Sequence, residues 1–337
     1  MRIPQNLSEQ YRVIREAGID VTALYEAVFS TTPVEKTLRM CAGPMLNMLP
    51  TRFRYFITDI AKRLRNPSRG LKVVYPLDFD ENRKVAASLK GVGHRPWWNK
   101  RAVVCLSHDV DNDEGYAFVR GIADIDREAG IPSTFNFLTH DNYALHGHLL
   151  RTLADEGFET GLHGYTHDQG ASFRRPATIR KRLDAAMSRL EGYGVMGART
   201  PALSRGPRYF ELLGEFGILY DSSLQVGSAI YPSVRLPYPF YLERFGLWEL
   251  PLMVQDDNYL RDATCSEGEM LNSMRRFIRE TVELNGMCVI NFHPHLMASR
   301  VNLYRRAVGM MKEFENDVVF KTTGDVYALV SGNFVDA

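Results

Sequence analysis

Two aspartates one residue apart, Asp109 and Asp111 in the stretch RAVVCLSHDVDND (residues 101–113), follow a short apolar run. On an extended backbone alternate side chains share a side, so both carboxylates face one way and Val110 the other. Neighbouring anions repel, and something must compensate for them. A divalent cation does so economically, because it takes one carboxylate as ligand and leaves the other as a base. The alternative is a solvated acidic turn running on through Asn112, Asp113 and Glu114. Further along, His163-Gly164-Tyr165-Thr166-His167 carries two imidazoles four residues apart, on one face of any helical turn formed there. Two imidazoles and one carboxylate make a three-ligand site that leaves a coordination position for water. Metal coordination lowers the pKa of water from 15.7 to about 7, which yields a nucleophile able to attack an unactivated amide. HxxxH alone is weak evidence. HxxxH after one apolar run, with Asp-x-Asp after an earlier one, is considerably stronger.

The elements that must hold these groups follow a repeated strand, loop, helix pattern. Strands are expected at Arg101–Leu106, Pro132–Leu138, Phe158–Leu162, Val195–Ala198, Ile218–Tyr220, Leu247–Leu250, Met287–Phe292 and Val318–Thr322. Helices are expected at Tyr116–Ala129, His148–Glu156, Ala177–Gly192, Pro207–Phe216, Glu267–Leu284, Tyr304–Glu315 and near Gly324–Val330. Repeated βα units imply a parallel sheet with right-handed crossovers, and this many units suggest a closed or nearly closed barrel. In such a barrel functional side chains come from the carboxyl ends of several strands. The strand ends here read Asp109 with Asp111, His140-Asp141, His163 with His167, Arg199, Asp221, Glu249, and His293-Pro294-His295.

At 337 residues the chain has room for one large α/β domain and an appendage. Hydrophobic content of 45%, charged content of 24% and a formal net charge of +1 describe an ordinary globular protein with no global attraction to nucleic acid. No apolar run approaches the roughly 20 residues that span a bilayer, and the first residues lack the apolar core of a signal peptide. The four cysteines, Cys41, Cys105, Cys265 and Cys288, are widely separated and read as reduced thiols in a cytoplasmic protein. The domain boundary falls near residue 98, after a mainly helical N-terminal extension. Within that extension, residues 35–72 are basic and interleaved with Met, Leu and aromatic side chains. Such a segment suits either an anionic membrane face or a helical arm packed on the main domain with its charges in water.

The ordered motifs resemble those of the polysaccharide deacetylase family (the NodB homology domain, carbohydrate esterase family 4) over residues 99–330. Ser107-His108-Asp109-Val110-Asp111 is similar to the variant of the first motif with a spacer between its aspartates. His163 and His167 match the second motif, with Gly164 in the small-residue place. Arg199-Thr200-Pro201 matches the third, and Asn291-Phe292-His293-Pro294 the fifth. Tyr220-Asp221-Ser222-Ser223-Leu224 resembles the fourth, without its following Trp. The resemblance implies a distorted or incomplete (β/α) barrel. It also implies a site in which Asp111, His163 and His167 hold Zn²⁺, or another divalent ion such as Co²⁺ or Ni²⁺. By the same resemblance Asp109 is the general base, held ionised and oriented by Arg199. His293 is the general acid, and Asp221 its supporting partner. The spacer Val110 leaves open which aspartate is ligand and which is base, and pairing with Arg199 favours the residue nearer the strand, Asp109, as base.

His140, Pro201 and His295 are candidates for substrate contact; Glu249 and the pair Asp256-Asp257 suit either sugar hydroxyls or a structural role. His94, His146 and His148 read as surface or packing residues, and His108 as structural. The expected activity is metal-dependent removal of an N-acetyl or similar N-acyl group from an amino sugar. The substrate is expected to be a nucleotide- or lipid-linked precursor of surface polysaccharide, handled in the cytoplasm or at the inner face of the membrane, with peripheral contact through residues 35–72. The competing readings are a deformylase or a metal-independent allantoinase-like amidohydrolase on the same fold, and a catalytically silent glycan-binding module.

Overall fold

A computed structural model describes residues 97–140, 142–226, 236–260 and 265–332. The expected helical extension, its basic stretch 35–72, Cys41, His94 and Asp141 all lie outside the described residues. The elements run β1 (Ala102–Val110), α1 (Asp113–Glu128), β2 (Ser133–Leu138), α2 (Gly147–Asp155), β3 (Glu159–Gly164), α3 (Pro176–Arg189), β4 (Gly197–Ala198), α4 (Pro207–Glu215) and β5 (Tyr220–Asp221). They continue with β6 (Phe240–Leu242), β7 (Leu247–Glu249), β8 (Leu252–Gln255), α5 (Asp257–Leu260), α6 (Glu267–Leu284), β9 (Met287–Phe292), α7 (Pro294–Ala298), α8 (Val301–Lys312), β10 (Val318–Phe320) and α9 (Thr323–Ser331).

The strands form one curled sheet in the order β6-β7-β5-β4-β3-β2-β1-β9-β8, with β10 added against the first residues of β1. Every pairing is parallel except β6 with β7, so the helices cross over outside the sheet. The ring of strands is incomplete: β6 and β8 are its two ends. Backbone bonds from Val226 to Leu252 and from Leu252 to Leu224 carry the chain across the remaining gap. This is the distorted, incomplete (β/α) barrel expected from the sequence.

All nine residues of β1 are buried, and β1 pairs with β2 and β9 toward its carboxyl end. It therefore runs four residues beyond the expected stop at Leu106. Polar His108 and Asp109 looked like a strand's end because burying them unpaired is costly. Both are paired. His108 Nε2 lies 3.0 Å from Asp126 Oδ2 on α1, and the same carboxylate accepts bonds from Ser133 Oγ at 2.8 Å and Tyr304 Oη at 2.5 Å. His108 thus locks β1 to the surrounding helices and, as expected, takes a structural place. Immediately after the strand, Asn112 caps α1 by accepting the Gly115 amide at 2.8 Å, with Asp113 and Glu114 in the first turn. Strands β6 and β8 and the short helix α7 had no counterpart in the sequence reading, since three to five residues carry too little periodicity.

Candidate metal centre and active site

The first cluster is built by β1 and β3. Asp111 Oδ1, just past β1, lies 3.2 Å from His163 Nε2 in β3 and 3.5 Å from His167 Nε2 on the following loop. One ligand atom from each of the three residues lies within 4.8 Å of the other two. His163 Nδ1 sits 2.8 Å from the Arg199 carbonyl, to which it donates, and that bond leaves the Nε2 lone pair directed inward. Asp111 Oδ1 and His163 Nε2 are buried, close and without any hydrogen bond. Buried polar atoms are normally bonded, so two that converge without bonding fit a cation placed between them. Burial pushes the Asp111 carboxyl up, but the imidazoles of His167, His293 and His163 outweigh it and hold the group well below the usual carboxylate range. Two nitrogens and one carboxylate oxygen suit Zn²⁺, Co²⁺ or Ni²⁺.

Asp109 sits two residues earlier on the same side of β1, in a cage of donors. Its Oδ1 accepts Asn136 Nδ2 at 2.9 Å and an Arg199 guanidinium nitrogen at 3.3 Å, and its Oδ2 accepts Asn291 Nδ2 at 3.0 Å. Asn136 is on β2 and Asn291 on β9, the two strands flanking β1. Gly161 on β3 leaves the room this requires: a Cβ there would lie 2.2 Å from Asn136 Oδ1. Arg199 is fully buried and spends its remaining donors on Ser107 Oγ, Asn291 Oδ1 and the backbone and hydroxyl of Ser222. Burial raises the Asp109 carboxyl, yet Arg199 and the imidazoles of His163 and His293 prevail and lower it below its ordinary value. Asp109 is a held anion.

His293, directly after β9, faces the cluster from the other side, its Nε2 3.9 Å from Asp111 Oδ2. Its Nδ1 is 2.5 Å from Asp256 Oδ1. Burial pulls its pKa down, but the carboxylates of Asp256 and Asp111 raise it to about 10, so the ring is a proton donor. The expectation that Asp221 supports His293 is corrected here: the partner is Asp256. Asp221 instead accepts the Ser223 amide and hydroxyl, and Ser223 Oγ in turn accepts the Thr200 amide, steadying the loop that follows Arg199. Glu249 is fully buried and takes the Leu224 amide at 3.0 Å, which gives it a structural place rather than contact with sugar hydroxyls.

The three residues expected to touch substrate lie on three separate segments. His140 is half-buried and stacks on Tyr165 with ring centroids 4.0 Å apart. Pro201 is buried beside Gly164, where an added Cβ would lie 3.2 Å from Pro201 Cγ. His295 is buried on α7 with its ring centroid 5.7 Å from that of His293. His140 and Pro201 thus flank the end of β3 and the loop after it, which carry His163 and His167, and His295 sits on the His293 side.

Residues 100–210 match the polysaccharide deacetylase family. About a third of the chain is thus similar to polysaccharide deacetylases. Among solved structures, a protein assigned as a polysaccharide deacetylase from Mycobacterium smegmatis superposes with a TM-score of 0.59 at 22% identity, over 69% of this chain and 91% of that one. PuuE allantoinase superposes with a TM-score of 0.56 at 16% identity, covering 70% and 93% of the two chains. A protein likewise assigned as a polysaccharide deacetylase, from Pseudomonas aeruginosa PAO1, gives 0.56 at 13% identity, covering 68% and 91%. At these identities the likeness is one of fold. No curated protein matches the chain.

Asp109 to Asp111, His163, His167 and Arg199 to Pro201 fall inside the matched stretch; Asp221 in β5 and His293, directly after β9, lie beyond it. Sequence reasoning missed Asn136, Asn291, Ser107 and the role of Asp256. A signal existed for the two asparagines, because each interrupts an apolar strand, STFNFL in β2 and MCVINF in β9. A carboxamide inside such a run needs partners, and here the partner is Asp109.

Proposed function

We propose that this chain is a metal-dependent hydrolase that removes an N-acetyl, or similar N-acyl, group from an amino sugar. The convergence of Asp111, His163 and His167 carries the reading, with a held carboxylate and a protonated imidazole beside them. A divalent ion held by those three residues would supply Lewis-acid polarisation of the acyl carbonyl and a water ionised near neutral pH. Everything else is done by the chain. Among the described residues Asp109 Oδ2 has Asn291 as its one hydrogen-bond donor, and it can accept the proton of the attacking water through a remaining lone pair. Arg199 and the two asparagines fix the direction of that lone pair. His293 delivers a proton from Nε2 to the departing amine nitrogen, and Asp256 holds Nδ1 so that Nε2 points inward. Base and acid thus stand on two sides of the ligand cluster, and an amide hydrolysis needs one of each.

The finer reading is a nucleotide- or lipid-linked precursor of surface polysaccharide, processed in the cytoplasm or at the inner membrane face. The basic, apolar-interleaved sequence of residues 35–72 supports attraction to an anionic surface. Among the described residues Cys105 and Cys288 are buried free thiols, which suits a reducing compartment. The test is acetate release from a panel of N-acetylated amino sugars, free, nucleotide-linked and lipid-linked, alongside metal analysis of the purified protein. Turnover with stoichiometric zinc, cobalt or nickel is the expected result. Turnover by a metal-free protein would transfer the reading to an amidohydrolase of the allantoinase kind, and no turnover with retained glycan binding to a silent module.

A further inference from the structure

Of the three residues of the ligand cluster, Asp111 follows β1, His163 is in β3 and His167 lies on the loop after it, and neither segment is held by its own strand alone. The described residues of the segment after β2, 139–140 and 142–143, supply none of these three side chains yet bind both segments. On one side Tyr143 Oη donates to the Val110 carbonyl at 2.9 Å, and Asn142 Nδ2 donates to the Asp111 carbonyl at 2.8 Å. On the other side the Thr139 amide donates to Gly164 O at 3.1 Å and the His140 amide to Tyr165 O at 2.8 Å. The His167 amide, in turn, donates to Asn142 Oδ1 at 3.5 Å. Tyr143 is itself fixed by the Leu138 amide at 2.7 Å and by stacking on Tyr116 at 4.5 Å.

Of these contacts only the Asn142 carboxamide touches the backbone of two ligand residues at once. Its amino group sets the peptide plane that follows Asp111, and therefore the direction from which that carboxylate leaves the chain. Its oxygen fixes the start of His167, whose imidazole must meet the same point. We infer that Asn142 is a positioning residue for the metal centre: a neutral staple that sets the separation of Asp111 and His167 before any ion arrives. A carboxamide suits this task because one planar group offers a donor and an acceptor. Aspartate could accept the His167 amide but would face the Asp111 carbonyl with another acceptor. Groups that orient ligands in this way are worth about 10- to 100-fold in metal affinity.

The inference rests on the metal reading of the Asp111, His163 and His167 cluster, and the experiment separates the two. Zinc affinity of the metal-stripped full-length chain is measured by competition with a chromophoric chelator, for the wild type, Asn142→Ala, Asn142→Ser and His163→Ala. Asn142 is half-buried on a loop, so both of its variants are expected to fold. The expected result is zinc binding by the wild type, abolished in His163→Ala and weakened about 10-fold or more in both Asn142 variants. The melting temperature of the metal-free Asn142 variants should stay at that of the wild type. Unchanged zinc affinity in either Asn142 variant, with or without a lower melting temperature, overturns the staple and leaves the metal reading standing. A wild-type chain that takes up no zinc overturns both.

Discussion

Asp256 Oδ1 meets His293 Nδ1 at 2.5 Å, and Asp256 Oδ2 accepts the backbone amide of the same histidine at 2.8 Å. One carboxylate thereby fixes both the position of the residue and the orientation of its ring. Asp256 follows β8 and His293 follows β9, so the pairing of two adjacent strands delivers the contact. Asp256→Asn removes the charge that keeps the imidazole protonated. Turnover is expected to fall about 100-fold or more, the scale of a lost general-acid contribution, while bound metal stays stoichiometric. Steady-state kinetics with metal analysis checks both halves. An Asp256→Asn enzyme as fast as the wild type would remove His293 from its place as acid.

The two aspartates at the carboxyl end of β1 separate by metal content. Asp111→Asn and His163→Ala are expected to lose both zinc and turnover, whereas Asp109→Asn keeps zinc and loses turnover. Elemental analysis of the three purified variants decides the matter. Zinc lost from Asp109→Asn and kept by Asp111→Asn would exchange the roles of ligand and base.

Gly161 is where a methyl group should damage the site from a distance. In Gly161→Ala the new carbon collides with Asn136 Oδ1 and pushes the carboxamide off Asp109. Overpacking of this kind costs about 1–3 kcal/mol, readable as a shifted denaturation midpoint. Turnover should fall as well, because Asp109 loses a donor. A variant with wild-type turnover and midpoint would show that Asn136 does not need its present place.

Asp221 and Glu249 form a buried acid pair on neighbouring strands β5 and β7. Burial raises both acids, and the Asp221 carboxylate adds to the rise of Glu249, which stays protonated well beyond the usual range. Acids whose folded pKa lies above the unfolded value bind more protons when folded. Their contribution is therefore complete below about pH 4, the unfolded range, and is lost as pH rises through the folded values. Wild-type melting temperature should thus fall from about pH 4 toward neutrality by an amount that Glu249→Gln reduces. The glutamine keeps the size and neutrality of the protonated acid, without a proton to lose. Parallel pH profiles for the two proteins would count against the shared proton.

The ligand cluster was legible because its chemistry is local: Asp111 and the HxxxH pair announce themselves by residue type and spacing. The barrel was legible because long apolar runs alternate with long amphipathic helices, as in β9 and α6, whose bounds match expectation. What stayed hidden depended on strand neighbours. Asp221 and Asp256 both follow apolar strands, and nothing in sequence says which one β9 will lie beside. Only the order β1-β9-β8 puts Asp256 next to His293 and leaves Asp221 several strands away. Likewise, His108 and Asp109 looked like a strand's end because their partners Asp126, Asn136 and Asn291 are supplied by other elements.

Strand β1 has no face to water; it carries Asp109, and Asp111 follows directly after it. A replacement there alters chemistry and folding together, so that strand leaves little freedom for new specificities to arise. The half-exposed residues His140 and Tyr165, in the segments after β2 and β3, are under no such double obligation. A lineage exploring other acyl sugars would be expected to vary those segments first and to leave the buried strand as it stands.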